Sequence, residues 1–465
     1  MLFHSVGFLF IFLPIFILSI ALLPKGKIRS FTLLIFSYLF YSGAEPFFIL
    51  ILILSSFTDY TAALCISKSK RQAARKLWLL LSIFVNVGIL CLYKYGQWIL
   101  TGITPIVENL GMHLPSTEFF KNYILPAGIS FYTFQSMSYS IDVYRRQIQP
   151  EKSLLGFCNY VAYLPQLIAG PIERFGHLYP QIALFNKGET VLHWTTGLDR
   201  VALGLIQKLL IADSCGLIVD RLVAPGVPQH FFTSWAIAIG FGMQIYFDFA
   251  AYTHIAIGIS LMLGIRLQEN FLSPYKANNI QDFWRRWHIT LSMWFRDYVY
   301  IPLGGSRKGA LHTYFNILIT FLLVGVWHGA GWNFMTWGVG HGILLIIYRL
   351  KQKLLPNWKL HSTAARIITF IAVHFLWIMF RVPDLTQAVN IWQGMLGMQG
   401  FWPNLVSISD LAFLATVSIG TLTLPNAAER WPGYSGWKES FAISALALFA
   451  ILNTPEISKF IYFQF

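Results

Sequence analysis

Long apolar runs recur along the whole chain, and they limit what it can fold into more than any other feature. A helical run of about 18 or more residues matches the hydrocarbon thickness of a bilayer. In lipid, such a span must satisfy its backbone hydrogen bonds internally, which favours helices. Only 12% of the residues are charged, about half the share of an average soluble domain. The pattern therefore predicts an all-α polytopic membrane protein.

Twelve transmembrane spans are predicted within one membrane-embedded domain that covers residues 1–465. They lie near residues 2–23, 30–42, 46–66, 77–95, 122–141, 197–220, 232–263, 311–329, 334–349, 364–381, 405–424 and 440–454. The 232–263 stretch exceeds one straight span, so a tilted, kinked or re-entrant helix is expected there. The segments 142–196 and 264–310 are too polar to span, and we expect them to lie in or re-enter the interface.

The net charge of +14 is explained by topology. Basic residues cluster in alternate loops, at 25–29, 68–76, 145–146, 264–310 and 349–353. The positive-inside rule places these loops in the cytoplasm and predicts that both ends of the chain are extracytoplasmic. No nucleic-acid partner is needed to account for the charge. The four cysteines are dispersed without metal-binding spacing, so neither a disulfide framework nor a metal site is predicted.

The segment Gln281–Tyr298 is predicted to form one amphipathic helix. Its aromatic face would contain Trp284, Trp287, His288, Leu291, Trp294, Phe295 and Tyr298. The opposite face would present Arg285, Arg286 and Arg296 to lipid phosphates or to an anionic cofactor. His288 would thus be buried on the aromatic face.

A second histidine, His328, ends the predicted span 311–329 and follows Trp327. Burial of a histidine in a membrane is costly unless the imidazole is paired, lines a wet cavity or performs chemistry. A neutral imidazole can take the proton from an attacking hydroxyl while that oxygen attacks a thioester or ester. A hydrogen-bonded structural histidine is the competing interpretation. On these residues alone, a transporter remains as good an interpretation as an enzyme.

Seven motifs carry a resemblance to a known family. They are Phe36–Tyr41, Leu125–Ser136, Ile141–Arg145, Leu164–Ile172, Asp282–Ser292, Tyr300–Gly305 and Trp327–Gly329. Together and in this order they are specific, and they span most of the chain. The chain resembles the membrane-bound O-acyltransferase (MBOAT) family, in particular its bacterial alginate O-acetyltransferase branch.

The resemblance implies a ring of about 12 transmembrane helices, with re-entrant or interfacial helices around a central acyl-transfer tunnel. It implies that His328 is the catalytic histidine and that His288, at the second polar position of the family, is catalytic with it by orienting or polarising the donor or the acceptor. No bound cofactor is implied; acetyl-CoA is the expected cytoplasmic acyl donor. The candidate donor- or substrate-binding residues are Trp284, Trp287, Trp327, Arg285 and Arg286.

The aromatic segment 460–465 is similar to the C-terminal tail of polysaccharide-modifying members. Tyr462 is there a candidate acyl relay; the competing interpretation is an interfacial aromatic anchor. The resemblance implies a bacterial inner-membrane location and a separate extracytoplasmic acyltransferase partner that completes transfer to an alginate-like exopolysaccharide. D-alanyl transfer to teichoic acid, a polysaccharide or lipid transporter, and a structural scaffold are the alternatives.

Overall fold

The computed structural model describes residues 3–43, 45–110, 126–358, 360–401, 406–430, 436–453 and 460–461. All regular secondary structure in these residues is helical, as the apolar runs predict. The chain groups into two compact units. Unit 1 comprises Met1–Val201 and Tyr252–Gln268, and unit 2 comprises Ala202–Ala251 and Glu269–Phe465. The predicted single membrane domain stays a prediction.

Unit 1 contains eight described helices of its own. They are α1 (Leu13–Leu22), α2 (Lys27–Ser42), α3 (Phe48–Lys68), α4 (Gln72–Leu90), α5 (Gly96–Asn109), α6 (Ile129–Tyr144), α7 (Leu154–Val161) and α8 (Phe175–Lys187). Two helices, α9 (Trp194–Ile206) and α11 (Phe231–Met262), are shared between the units.

Unit 2 holds the remaining described helices. They are α10 (Asp213–Val223), α12 (Ile280–Arg286), α13 (Ile289–Phe295), α14 (Ala310–His328), α15 (Trp332–Leu354), α16 (Ser362–Arg381), α17 (Leu385–Met395), α18 (Ile408–Thr423), α19 (Ala427–Arg430) and α20 (Trp437–Asn453). Turns of π-helix occur at Cys91–Tyr95, Gln207–Ala212 and Arg296–Tyr300, and Phe8–Phe12 precedes α1 in the same conformation.

Seven described helices are long and apolar enough to cross a bilayer. They are Phe48–Lys68, Gln72–Asn109, Trp194–Val223, Phe231–Met262, Ala310–His328, Ser362–Arg381 and Ile408–Glu429, with a shorter apolar helix at Phe8–Leu22. Every other predicted span also overlaps a described helix, but these helices are shorter or less apolar. The long 232–263 stretch is one continuous helix of 32 residues, α11.

The prediction of one amphipathic helix over Gln281–Tyr298 is wrong. The chain forms α12, breaks at Trp287 and His288, and restarts as α13. His288 adopts a left-handed conformation, with φ 41° and ψ 56°. The predicted burial is nonetheless largely correct, because the aromatic face and His288 are buried while Arg285 and Arg296 are exposed. Tyr298 is half-buried.

Basic segments meet in pairs within each unit. In unit 1, the Arg75 guanidinium donates to the backbone oxygen of Tyr144 at 2.7 Å, and Gly26 N–H donates to the Asn186 oxygen at 2.7 Å. In unit 2, Arg349 donates to the Ser306 hydroxyl at 3.4 Å. Each hydrogen bond therefore brings its two segments close together, and the cytoplasmic placement of the basic loops stays a prediction.

Candidate active site

His328 is the last residue of α14, at a tight crossing of α14 and α15 in unit 2. A Cβ at Gly325 would collide with the Phe334 backbone oxygen, and one at Gly338 would collide with that of Phe321. The two helices approach this closely because both glycines lack a side chain. The His328 side chain is 4% exposed. The crossing therefore holds the imidazole in an almost completely buried position.

Aromatic rings surround the His328 imidazole on several sides. Its ring centroid lies 4.7 Å from that of Trp327, 5.1 Å from that of Trp337 and 4.9 Å from that of Phe380. Trp337 and Phe380 also contact each other, at 5.0 Å between centroids. Such packing fixes the orientation of a ring through shape, with little freedom to rotate.

Trp327 connects His288 to the same site by ring contacts. The Trp327 ring centroid lies 6.1 Å from that of His288 in an edge-on arrangement. Trp327 thus contacts both histidines that the sequence singles out. Burial lowers the pKa of the fully buried His288 imidazole, which is therefore neutral. A neutral imidazole has one donor and one acceptor, as an acid–base or positioning group requires.

The break at His288 is held by the segment that precedes α12. Ile289 N–H donates to the Asn270 backbone oxygen at 3.0 Å, and the Thr290 hydroxyl donates to the Asn270 side-chain oxygen at 2.7 Å. Leu272 N–H donates to the Arg286 oxygen at 3.0 Å. A left-handed conformation in a non-glycine residue is strained, and such strain concentrates at functional sites. The break turns the imidazole of His288 toward Trp327 and Phe249.

An open cleft of about 500 Å³ runs along α14 beside the α12–α13 segment. Its basic residues are Arg285, Arg296 and Arg349. Its walls include Trp284, Ile289, Leu291, Phe295, Ile317, Phe321, Val324 and Leu345, with Ser292 and Thr320 as polar members. Val324 lies one helical turn before His328, about 6 Å along the helix axis. The cleft therefore combines cationic groups with an apolar wall that approaches the catalytic candidate.

The predicted binding residues separate into two groups. Arg285 and Trp284 line the cleft, and the Trp284 indole N–H donates to His341 Nδ1 at 3.3 Å. Arg286 instead pairs with Asp282 at 2.9 Å and donates to the Leu272 oxygen at 3.2 Å. Trp287 packs in the core against Trp377, with 4.9 Å between ring centroids. Arg286 does not line the cleft, whereas Arg349, which was not among the predicted binding residues, does.

Tyr462 lies outside the described residues, but its two predecessors are placed in unit 2. The Phe460 ring centroid lies 5.9 Å from that of Phe249, which in turn lies 4.7 Å from that of His288. Ile461 N–H donates to Asp248 Oδ2 at 2.6 Å. Both residues are buried. The segment before Tyr462 therefore packs one ring away from His288.

A group of charged residues beside Ile461 was not among the predicted site residues. Lys208 Nζ lies 2.8 Å from both Asp248 Oδ1 and Asp213 Oδ1. Lys208 and Asp248 are almost completely buried within predicted spans. Ionisable residues inside spans are expensive and mark functional positions, so their presence in 197–220 and 232–263 was the available signal.

A separate ion pair lies in unit 1, outside the spanning helices. His177 Nδ1 is 2.6 Å from Glu173 Oε2, and Glu173 Oε1 accepts the Gln268 N–H at 2.6 Å. The hydrogen bond to Glu173 raises the pKa of His177 above its usual value. Glu173 is fully buried, whereas the His177 side chain is 40% exposed.

We expect the His177–Glu173 pair to stabilise the fold at acidic and neutral pH and to lose this effect at alkaline pH. The folded-state pKa of His177 is raised, so its contribution is complete below the unfolded value of about 6.5 and disappears as pH rises through the folded value. Solvent screening limits the effect to below about 1 kcal/mol. In lipid nanodiscs, the difference in melting temperature between native protein and His177→Gln should therefore be larger at pH 6 than at pH 8.5. An equal difference at both pH values would contradict the assignment.

Known proteins share sequence with this chain over most of its length. The model of the membrane-bound O-acyltransferase family matches residues 38–384. The chain is 38% identical over 427 residues to the probable alginate O-acetylase AlgI of Pseudomonas aeruginosa, covering 91% of this chain and 80% of that protein. It is 35% identical to the peptidoglycan O-acetyltransferase of Helicobacter pylori, covering 86% and 80%. It is 28% identical to the teichoic acid D-alanyltransferase of Bacillus subtilis, covering 59% and 72%.

Proposed function

The chain belongs to the membrane-bound O-acyltransferase family, and on that premise we propose that it moves acetyl groups from a cytoplasmic donor across the bilayer for O-acetylation of an extracytoplasmic polysaccharide. It is a multi-pass membrane acyltransferase. The acetyl group, the direction of transfer and an alginate-like acceptor are proposals. The names of its relatives, an alginate O-acetylase and a peptidoglycan O-acetyltransferase, support the acetyl group and a polysaccharide acceptor.

One observation supports this function most strongly: His328 lies one helical turn beyond the apolar end of a cleft with three arginines. Acetyl-CoA has a polyanionic head and a long, thin, uncharged arm that ends in the thioester. Arginine guanidiniums match phosphate oxygens in charge and geometry. We propose that the head binds at Arg285, Arg296 and Arg349 while the arm follows the wall formed by α14 toward His328.

In the proposed chemistry, His328 acts as a general base. Its neutral imidazole takes the proton from an acceptor hydroxyl as that oxygen attacks the thioester carbonyl. The C–S bond breaks, and the departing sulfur receives the proton from the imidazolium. The products are an oxygen ester and CoA thiol, so the charges balance. His288, neutral and held beside Trp327, orients or polarises the donor or the acceptor.

The acceptor at this step is proposed to be the Tyr462 phenol, which would then pass the acetyl group on. An extracytoplasmic acyltransferase partner would collect it and esterify the polymer. The position of Phe460 and Ile461, one ring from His288, supports this route. Both ends of the chain are proposed to face the outside of a bacterial inner membrane. The protein needs no bound cofactor in this scheme.

The decisive experiment identifies the acyl donor. Purified protein in lipid nanodiscs would be incubated with acetyl-CoA labelled in the acetyl group, and label bound to the protein would be measured. A parallel reaction would use D-alanine as a thioester on a carrier protein. We expect label from acetyl-CoA and none from the carrier thioester. The reverse result would replace the proposal with D-alanyl transfer, and no transfer from either donor, with or without membrane extract, would reject it.

The cleft arginines are expected to affect donor binding more than the chemical step. Arg285→Ala combined with Arg349→Ala should raise the KM for acetyl-CoA by about 10- to 100-fold, because each lost charge-assisted hydrogen bond is worth about 1.5–3 kcal/mol before solvent screening. The maximum rate should change less than threefold. Arg145→Ala, in a basic loop outside the cleft, is the matched control. An unchanged KM in the double variant would exclude the cleft as the donor site.

A further inference from the structure

Three ionisable side chains lie within the spans of unit 2, close to the proposed acyl path. Lys208 belongs to the π-helical turn Gln207–Ala212, where the helix widens, and π-helical turns are frequent at functional sites. Its ammonium lies between Asp213 and Asp248, at 2.8 Å from each. The lysine and Asp248 are almost completely buried, and Asp213 is largely buried. With both carboxylates ionised, this cluster has one more negative than positive charge.

The Asp248 carboxylate of this cluster lies beside the backbone of Ile461. Asp248 Oδ1 faces Lys208, whereas Asp248 Oδ2 accepts the N–H of Ile461 at 2.6 Å. A backbone N–H buried in a membrane protein must be hydrogen-bonded, and a carboxylate acceptor makes the bond about twice as strong as a neutral one. Asp248 is thus connected to a fixed cation on one side and to the segment on the other.

The next residue on α11 connects this anchor to the candidate active site. Phe249 contacts Phe460, with 5.9 Å between ring centroids, and contacts His288 at 4.7 Å. Two successive residues of α11 therefore bind two successive residues of the segment, one through a hydrogen bond and one through ring packing. This double contact holds Phe460 and Ile461 in place beside α11.

We propose that Asp248 is a positioning residue: it anchors Ile461, and acyl transfer to Tyr462, the next residue in the sequence, depends on this anchor. Lys208 and Asp213 hold the Asp248 carboxylate in place. The inference rests on the proposed function for the role of Tyr462, but the anchor itself is a structural statement that needs no acyl donor. The cost of three ionisable groups in the spans is then explained by the placement of a reacting residue.

Hydrogen exchange of the Ile461 amide tests the anchor directly. Mass spectrometry would follow a proteolytic peptide that begins at least three residues before Ile461, in native protein and in Asp248→Ala. We expect exchange at that amide to become about 10- to 100-fold faster in the variant, as loss of a charge-assisted bond requires. Exchange elsewhere in α11 should be unchanged. Equal protection of the Ile461 amide in both proteins would overturn the proposal.

Two further variants separate the anchor from general damage to the charged cluster. Asp213→Asn leaves the bond to Ile461 intact, so protection should stay within about twofold of native; exposure equal to that in Asp248→Ala would overturn the proposal. Asp248→Asn keeps the side-chain volume and leaves Lys208 paired with Asp213, so it should fold even if Asp248→Ala does not. Its neutral amide oxygen is a weaker acceptor, and we expect protection between those of native protein and Asp248→Ala.

Acyl transfer provides the functional half of the test. In Asp248→Ala, label should reach Tyr462 at least about tenfold more slowly while the KM for acetyl-CoA stays the same, because the donor cleft is untouched. Asp248→Asn should recover part of the rate. Loss of Ile461 protection without any change in the labelling rate would show that the anchor does not position a reacting group. Absence of transfer even in native protein would reject the proposed function and leave the exchange result as the test of the anchor.

Discussion

His328→Ala is expected to lower the rate of acyl transfer by about 10²- to 10⁴-fold, the usual contribution of a positioned general base. The imidazole is almost completely buried and held among Trp327, Trp337 and Phe380. Water therefore has little access to replace the lost base. The maximum rate should fall while the KM for acetyl-CoA changes little, because the cleft arginines are not altered. The measurement is label transferred to the protein in nanodiscs over time.

His374→Gln is the matched control for this substitution. His374 is also a fully buried histidine of unit 2, but its Nδ1 donates to the Phe370 oxygen of its own helix at 2.8 Å, and it contacts neither Trp327 nor His328 among the described ring contacts. We expect it to retain most of the native rate. If the two variants lose activity equally, with equal loss of melting temperature, His328 has only a structural role.

The membrane class and the helices were predictable because they depend on local composition. Apolar runs determine where spans lie, and all twelve predicted ranges overlap described helices in at least part of their length. The first and last residues of the helices were less predictable. Residues 72–109, predicted to contain a span at 77–95, form 38 residues of helix through a π-helical turn. A helix in lipid continues until another hydrogen-bond partner is available to its backbone, and the sequence does not show where such a partner lies.

The break at His288 was not predictable from periodicity. The aromatic residues at Gln281–Tyr298 fit one helical face, and their burial is largely as expected. What divides the helix is a tertiary contact, the hydrogen bonds of Ile289 and Thr290 to Asn270. Asn270 lies 18 residues before His288 in the sequence, and no local pattern connects the two. The same limitation explains why Arg349, which is far away in sequence, was not among the predicted binding residues although it lines the cleft.

In contrast to the break at His288, part of the charged cluster was predictable from the sequence. Lys208 and Asp248 were visible as charges within predicted spans, and a buried charge in a span is costly unless it is paired. Their pairing could have been inferred from opposite sign alone. That Asp248 also binds the backbone of Ile461 could not have been inferred, because any residue offers the same N–H. Tertiary structure was needed to connect the cluster with the 460–465 segment.

Tyr462→Phe is expected to abolish label that is attached to the protein through an ester. The substitution removes one oxygen atom and keeps the ring, so an interfacial aromatic anchor would be preserved and a relay would not. The readout is label released by hydroxylamine, located by mass spectrometry on peptides that contain residue 462. Tyr314→Phe, a half-buried tyrosine of α14 away from the cleft, controls for nonspecific acetylation of phenols and should leave the label unchanged.

The pattern across variants identifies the step that each residue serves. If Tyr462 is the relay, Tyr462→Phe and His328→Ala should both lack label on the protein. Only Tyr462→Phe retains the base, His328. This variant alone should therefore still cleave acetyl-CoA slowly, with water in place of the phenol as the acceptor. Label that survives in Tyr462→Phe yet disappears in His328→Ala would keep the histidine as the base and move the acceptor to another hydroxyl. Phe460 packs against Phe249, which contacts His288, and Ile461 is anchored to Asp248. Because Tyr462 follows these two residues directly in the sequence, its phenol is the more economical choice of acceptor.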